Sequence, residues 1–439
     1  MKIPCKYKVF ATLTLLSLLS ACGGNVDVPV VQLPRSAAQV VAFAAPSSSS
    51  FTLLYEDNFD GTSLDTGDWV YRETGLYAGG YNRRQNVSVS GGLLHIAFKK
   101  EDINGDGVAN EYTGGGIITA QNFGYGYYEA RVKLAGGVNG FHQSFWQMGL
   151  PFGDGAAPGY DALINSGVLP YFNRTIEIDG FEQNSNNAGY AASNGHYYLP
   201  AVSHIGAQSH SVDTTSWFVM GYEWLPGQVK FYVNGNLVRT MSFSTLYGQS
   251  NFWLSGLANS KYSGTLGNVP AGTEMQVDYF RFYASNQIGV NRITNGGFEY
   301  NNSSMDLNYP MGWLEYAATD SSKVFKDATY ARTGAAVLWH TNTSSNYTVT
   351  TKQNVESIPN GTYKLTAWIK SSGGQTSALM RVLNHGGTEM ITSIPTSAGW
   401  TQITIDDISV TSNKALIAFS SVALAGQWIK VDDVVFAQK

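Results

Sequence analysis

The chain has 439 residues, with 27 Lys and Arg against 32 Asp and Glu, and no run of basic residues. That balance argues against nucleic acid or a strongly anionic polymer as an obvious partner, although a local basic groove can hide in an acidic total. Charged residues are sparse while Gly, Asn, Ser, Thr, Tyr and Trp are abundant, a composition that suits twisted antiparallel sheets joined by many turns.

The first residues read as an address. Lys2, Lys6 and Lys8 precede the apolar run Val9 to Leu19, too short to span a bilayer and suited to a signal-peptide core. The run ends in Leu19-Ser20-Ala21-Cys22, which resembles the lipobox of bacterial lipoproteins. Residues 1–21 are therefore expected to be a lipoprotein signal peptide. Cys22 would carry lipid, and Gly23 after it implies anchoring in the cell envelope at the outer membrane. Cys5 would leave with the leader, so the exported chain has no disulfide and its fold rests on its own core. Residues 22–50 lack periodicity, end in four serines and read as a flexible tether.

From Phe51 onward short β-type runs alternate with Gly and Asn turns. Gly126–Leu134 is one such run, and Gln228–Val233 is another, followed by the hairpin signal Asn234-Gly235. Helical periodicity is absent, so an all-β sandwich of about fifteen strands is expected over 51–285. A second unit over 290–439, opened by Asn295-Gly-Gly-Phe-Glu299 and closed by the strand-like run Trp428–Phe436, fits a smaller β-sandwich. Asp102-Ile-Asn-Gly-Asp-Gly107 has the alternating oxygen ligands of a calcium loop, but Thr113 stands where the closing acid belongs; it reads more readily as a polar turn.

The chemistry concentrates in Thr175-Ile-Glu-Ile-Asp-Gly-Phe-Glu-Gln183. Strand alternation puts Glu177 and Asp179 on one face with Ile176 and Ile178 behind them. Glu182 has the wrong parity, and a β-bulge at Gly180 would restore it to the same face. Three crowded carboxylates repel, which is costly unless they bind metal or do acid–base work. Retaining glycoside hydrolysis needs such an arrangement: one carboxylate attacks the anomeric carbon and another donates a proton to the leaving oxygen. A calcium site or an exposed acidic strand remain the alternatives.

Glu177-Ile-Asp-Gly-Phe-Glu182 resembles the Glu-x-Asp-x-x-Glu signature of glycoside hydrolase family 16. Further stretches are similar in order: Phe59-Asp60-Gly61, Asn86-Val-Ser-Val, Tyr125–Lys133, Ser144-Phe-Trp-Gln-Met148, Tyr222–Gly235 and Asp278–Tyr283. The resemblance covers roughly Phe51 to Ala284. It implies a concanavalin-like β-jelly roll, with Glu177 as nucleophile, Asp179 as its helper and Glu182 as acid/base. It further implies substrate contacts from Trp146, His142, Gln143, Arg84, Asn86 and His196, and a structural calcium at Glu56 and Asp278. No cofactor is expected for catalysis. The segment from Pro151 to Asn173, with Tyr160 and Tyr171, looks like an insertion beside the cleft.

The second unit resembles carbohydrate-binding modules of the family 4/9 type, on Asn295–Glu299, Gly312-Trp313, Gly361–Trp368, Gly399-Trp400 and Val431–Val434. That resemblance implies a structural calcium at Glu299 and Asp433 and a sugar platform from Trp313, Tyr316 or Trp339, with Trp368 and Trp400 in the core. The expected function is a monomeric, endo-acting retaining hydrolase of a β-linked polysaccharide, β-1,3-glucan first and a red-algal-type galactan second. The competing readings are a transglycosylase, a non-catalytic glycan-binding lipoprotein and a jelly-roll polysaccharide lyase.

Overall fold

The computed structural model of the chain describes residues 49–136, 140–148, 175–198, 203–244, 246–259, 265–300, 310–317 and 321–439. The leader with Cys22, nearly all of the tether, and the 151–173 segment with Tyr160 and Tyr171 lie outside the described residues. So does the side chain of Tyr316.

The architecture is all-β. Among the described residues, eighteen strands precede residue 286 and form two sheets. One runs Asn236–Phe243, Gly227–Val233, Phe218–Leu225, Gly126–Lys133, Glu274–Ser285, Leu93–Ala97, Val87–Ser90, with Phe51–Asp57 added to Glu274–Ser285. The other runs Ser203–His204, Tyr190–Tyr197, Ile176–Asn184, Phe141–Met148, Asn251–Ala258, Glu111–Thr119, Trp69–Tyr71. The anticipated hairpin closes at Asn234 and Gly235, both at positive φ (50° and 77°), as a two-residue turn between paired Val233 and Asn236 requires.

The two sheets meet over aromatic residues. Phe252 and Phe280, one from each sheet, stack with ring centroids 4.0 Å apart, and Phe145, Phe181, Tyr128 and Tyr222 fill the space around them. Each such ring, fully removed from water, contributes about 2–3 kcal/mol before the entropy of ordering is set against it. The apolar backs of the site strand belong to this core: Ile176, Ile178 and Phe181 are wholly buried.

Among the described residues, a second pair of five-stranded sheets follows residue 290, with its own core of Phe298, Trp313, Leu365, Phe419 and Phe436. Trp313 stands at 1% exposure against Phe298 and Phe419, so it is a core residue and not a sugar platform. Trp368 and Trp400 depart from expectation in the opposite sense. Both are half-buried, because their strands present them on the face turned away from the core.

Candidate active site

The site is built on the strand Ile176–Asn184, held between Phe141–Met148 and Tyr190–Tyr197. Its register breaks between Asp179 and Phe181 on one side and between Asp179 and Glu182 on the other. The break is the expected bulge. Glu177, Glu182 and Asn184 are half-buried on the open face, while Ile178, Phe181 and Gln183 are buried behind it. Gly180 is required for a packing reason: a Cβ there would lie 2.3 Å from the Phe145 ring.

Directly opposed residues share a face of the sheet, so the register gives the composition of the cleft. Asp179 lies opposite Trp146, and Trp146 opposite Trp253. Glu182 lies opposite Ser144, and Ser144 opposite Ser255. The two indoles pack at 4.6 Å, with the Arg72 guanidinium 5.8 and 5.3 Å from their ring centroids. Ser255 Oγ accepts from Trp146 Nε1 at 3.2 Å and from Arg72 Nη1 at 3.0 Å. The result is a fixed apolar wall with a hydrogen-bonded rim, the surface a sugar ring needs. The sequence reading missed Trp253, Ser255 and Arg72; the alternation of Asn251–Ala258 carried a signal for Trp253, but nothing marked Arg72.

Each carboxylate has a different environment. Glu177 accepts a hydrogen bond from the Tyr198 hydroxyl. Asp179 is 2% exposed, and its Oδ2 lies 3.3 Å from His196 Nε2 without the alignment of a hydrogen bond. Burial, then the charges of Glu177 and Glu182, push the Asp179 carboxyl well above the usual carboxylate range. Burial also raises Glu182, but its hydrogen bond to His142, the charges of His142 and His196, and the Asn194 amide together bring it below the ordinary value. His142 Nε2 is 3.2 Å from Glu182 Oε1, and its Nδ1 is 2.8 Å from Asn184 Oδ1. Facing an amide oxygen, Nδ1 carries hydrogen, so Nε2 either donates to an ionised Glu182 or accepts from a protonated one.

The structure brings Trp146, His142 and His196 to the carboxylates and removes two other expected contacts. Gln143 is fully buried, its amide bonded to Ala135 N (2.7 Å), Ala135 O and Gln183, so it braces a loop behind the site. Asn86 is 2% exposed and donates to Thr113 and the Gly114 carbonyl, which makes it a strand clamp. Arg84 is exposed, lies over Tyr71 and is bound to Glu73.

Among the described residues, the group of His and acidic side chains with the proximity of a metal site is Glu177, Asp179 and His196, whose ligand atoms lie within 4.8 Å of one another. Glu56 is engaged by Arg281 (2.6 Å) and Asp278 by Arg131 (2.7 Å), so each of these carboxylates already has a cation. Glu299 accepts the backbone N–H groups of Ala335 and Ala336, and Asp433 accepts from Arg332 and Thr333. The 102–107 turn closes on itself, Asp102 accepting three backbone N–H groups.

Residues 78–279 match the sequence profile of Glycosyl hydrolases family 16. The chain carries a family 16 glycosyl hydrolase domain. It is thereby a glycosidase, acting on O-glycosyl bonds. The family 16 domain has relatives of stated activity. The chain is 25% identical over 391 residues to a keratan-sulfate endo-1,4-beta-galactosidase of Sphingobacterium multivorum, covering 84% of this chain and 83% of that protein. It is 24% identical to a glucan endo-1,3-beta-glucosidase A1 of Niallia circulans, over 54% of this chain and 38% of that one. Among solved structures, an endo-beta-1,3-glucanase from Pyrococcus furiosus aligns with 54% of this chain and 95% of its own, at 20% identity and a TM-score of 0.44.

Proposed function

We propose that this protein is an endo-acting, retaining hydrolase of a β-linked galactan, anchored to the outer membrane through lipid on Cys22. The observation that carries the chemistry is the bulge that puts Glu177, Asp179 and Glu182 on one face of one strand. In this reading a Glu177 oxygen attacks the anomeric carbon as the glycosidic bond breaks, and the departing oxygen takes a proton from Glu182. Water then gives a proton back to Glu182 and attacks the same carbon, releasing Glu177. Tyr198 holds Glu177 in place for attack, and the upward push on the Asp179 carboxyl disfavours a third negative charge in the site. His142 keeps a proton within reach of Glu182. No cofactor takes part, and the C-terminal sandwich holds the enzyme on its polymer, raising the local concentration of bonds to cut.

Galactan stands ahead of β-1,3-glucan because the galactosidase relative aligns across both halves of the chain, whereas the glucanase relative aligns with 54% of it. The test is release of reducing ends from keratan sulfate, agarose and laminarin, beside Glu177→Gln. Activity on a galactan, reduced roughly a thousandfold or more in the variant, with the β-anomer formed first by NMR, is the expected result. First-formed α-anomer would overturn retention, unsaturated product ends would mean a lyase, and activity on laminarin alone would reverse the order of substrates.

A further inference from the structure

The outer face of one C-terminal sheet carries a charge arrangement that its own fold leaves unbalanced. The strands Ala336–Thr341, Trp428–Gln438 and Gly361–Ser371 are neighbours there. Their register sets Trp339 directly opposite Lys430, and Lys430 directly opposite Lys370. Like charges facing one another across a ladder are destabilising.

Lys430 is the centre of the arrangement. It is 6% exposed, and its ammonium lies 3.9 Å from the Tyr330 ring centroid, 4.2 Å from Trp339 and 5.1 Å from Trp428. No carboxylate among the described residues forms an ion pair with it, although Asp327 is near enough to act through its charge. Aromatic faces attract a cation but do not neutralise it. Trp339 adds a second unmet need, since its buried Nε1 has no acceptor. Lys370 stands over Trp400 at 5.1 Å. Tyr330 and Phe325, packed at 5.3 Å, bring the aromatic surface to solvent, at 39% and 38% exposure.

A buried cation without an ion-pair partner, a like charge beside it and an indole N–H without an acceptor have one remedy in common. All three are satisfied by an anionic oxygen arriving from outside. The aromatic walls say what kind of molecule brings it, because pyranose rings present apolar faces to indoles. We propose that this face binds an anionic saccharide unit, its ring against Trp339 and Trp428 and its sulfate or carboxylate on Lys430 and Lys370. The inference rests on the reading that the C-terminal sandwich holds polymer, and adds the face and the charge of what it holds. Net charge concealed it: the lysines are lost within an acidic total.

The test is affinity electrophoresis of the whole protein in a Glu177→Gln background, which leaves the polymer uncut. The gels contain a sulfated red-algal galactan, the same galactan after chemical desulfation, or polygalacturonate. Strong retardation is expected in at least one anionic gel, at least fivefold weaker in the desulfated gel and declining with added salt. Lys430→Met with Lys370→Met is expected to cut the retardation about tenfold, and the two arginine replacements to keep most of it. The methionine pair should melt no lower than the parent, since it removes opposed charges and keeps apolar bulk. Binding to the sulfated galactan assigns the anion as a sulfate ester, and to polygalacturonate alone as a carboxylate. Equal retardation with and without sulfate, or none lost in the methionine pair, would overturn the inference while leaving polymer holding intact. No retardation in any gel would overturn both.

Discussion

His142 touches Glu182 on one nitrogen and Asn184 on the other, and that double contact sets the protonation of the proposed acid. Its hydrogen bond and charge are the chief causes that bring Glu182 below the ordinary carboxylate value, against the upward push of burial. Removing the imidazole leaves the burial effect, so Glu182 should lose its proton at higher pH. For a group that must be protonated to act, the alkaline limb of kcat/KM then moves up. His142→Gln keeps an amide to bond Asn184, and a drop of about tenfold at neutral pH with the shifted limb is expected. A pH–rate profile checks it; a simple loss of rate with an unmoved limb would make His142 structural only. Much at this scale was readable from spacing. Glu177 and Asp179 follow from alternation, and Trp146 from the family resemblance of Ser144–Met148. Gln143 was misjudged because sequence gives an amide's position along a strand but not which side of the sheet its partners occupy, and Asn86 because a 3-10 turn carries it inward to Thr113 and Gly114 where the resemblance suggested a cleft-lining loop.

The bulge is where one element decides the chemistry. Glu182 reaches the open face because one extra residue is accommodated between Asp179 and Phe181, and that residue is pressed against Phe145. Gly180→Ala forces a methyl to 2.3 Å from the ring, so the ring or the strand must move. Overpacking of this kind costs about 1–3 kcal/mol. The larger effect is on rate, because a shift of about 1 Å between carboxylates can cost a hundredfold. Gly180→Ala is therefore expected to lower the thermal midpoint by a few degrees and activity by about a hundredfold, with Tyr198 still on Glu177. Circular dichroism beside the reducing-end assay separates the two effects; full activity in the variant would mean the bulge tolerates the methyl. The parity argument that exposed this bulge also explains the errors on Trp368 and Trp400. Alternation tells that neighbours face opposite ways, but not which way is inward, and for Glu177 the flanking isoleucines supplied that answer. Trp368, too, alternates with apolar neighbours, and its own apolar character pulled the reading inward.

Across the molecule the two cores are joined by a polar seam. Glu356 accepts from the backbone and amide nitrogens of Asn122 at 3.1 and 3.2 Å and donates its N–H to Gln249 at 2.9 Å. Ser357 donates to the Asn122 carbonyl at 2.7 Å, and the buried Arg292 bonds the Ser285 carbonyl at 2.9 Å. The contacts join groups far apart in sequence, and they are expected to couple the unfolding of one sandwich to the other. An internal reporter exists for the C-terminal side. His340 is wholly buried between Ser421 and Thr351, and burial pushes its pKa from 6.5 down to about 3. The fold holds it neutral, so its stabilising effect is complete above about pH 6.5 and declines as pH falls toward about 3, by about 1.4 kcal/mol per unit. The parent should show one thermal transition that moves down between pH 7.5 and 5, and His340→Gln should flatten that dependence. Glu356→Ala with Ser357→Gly should split the transition, glycine being chosen because Ser357 sits at a φ of 51°. If the seam couples the cores, only one of the two resulting transitions will retain the pH dependence, and adding His340→Gln will abolish it there. Two transitions in the parent would show that the sandwiches melt independently and that the seam transmits nothing.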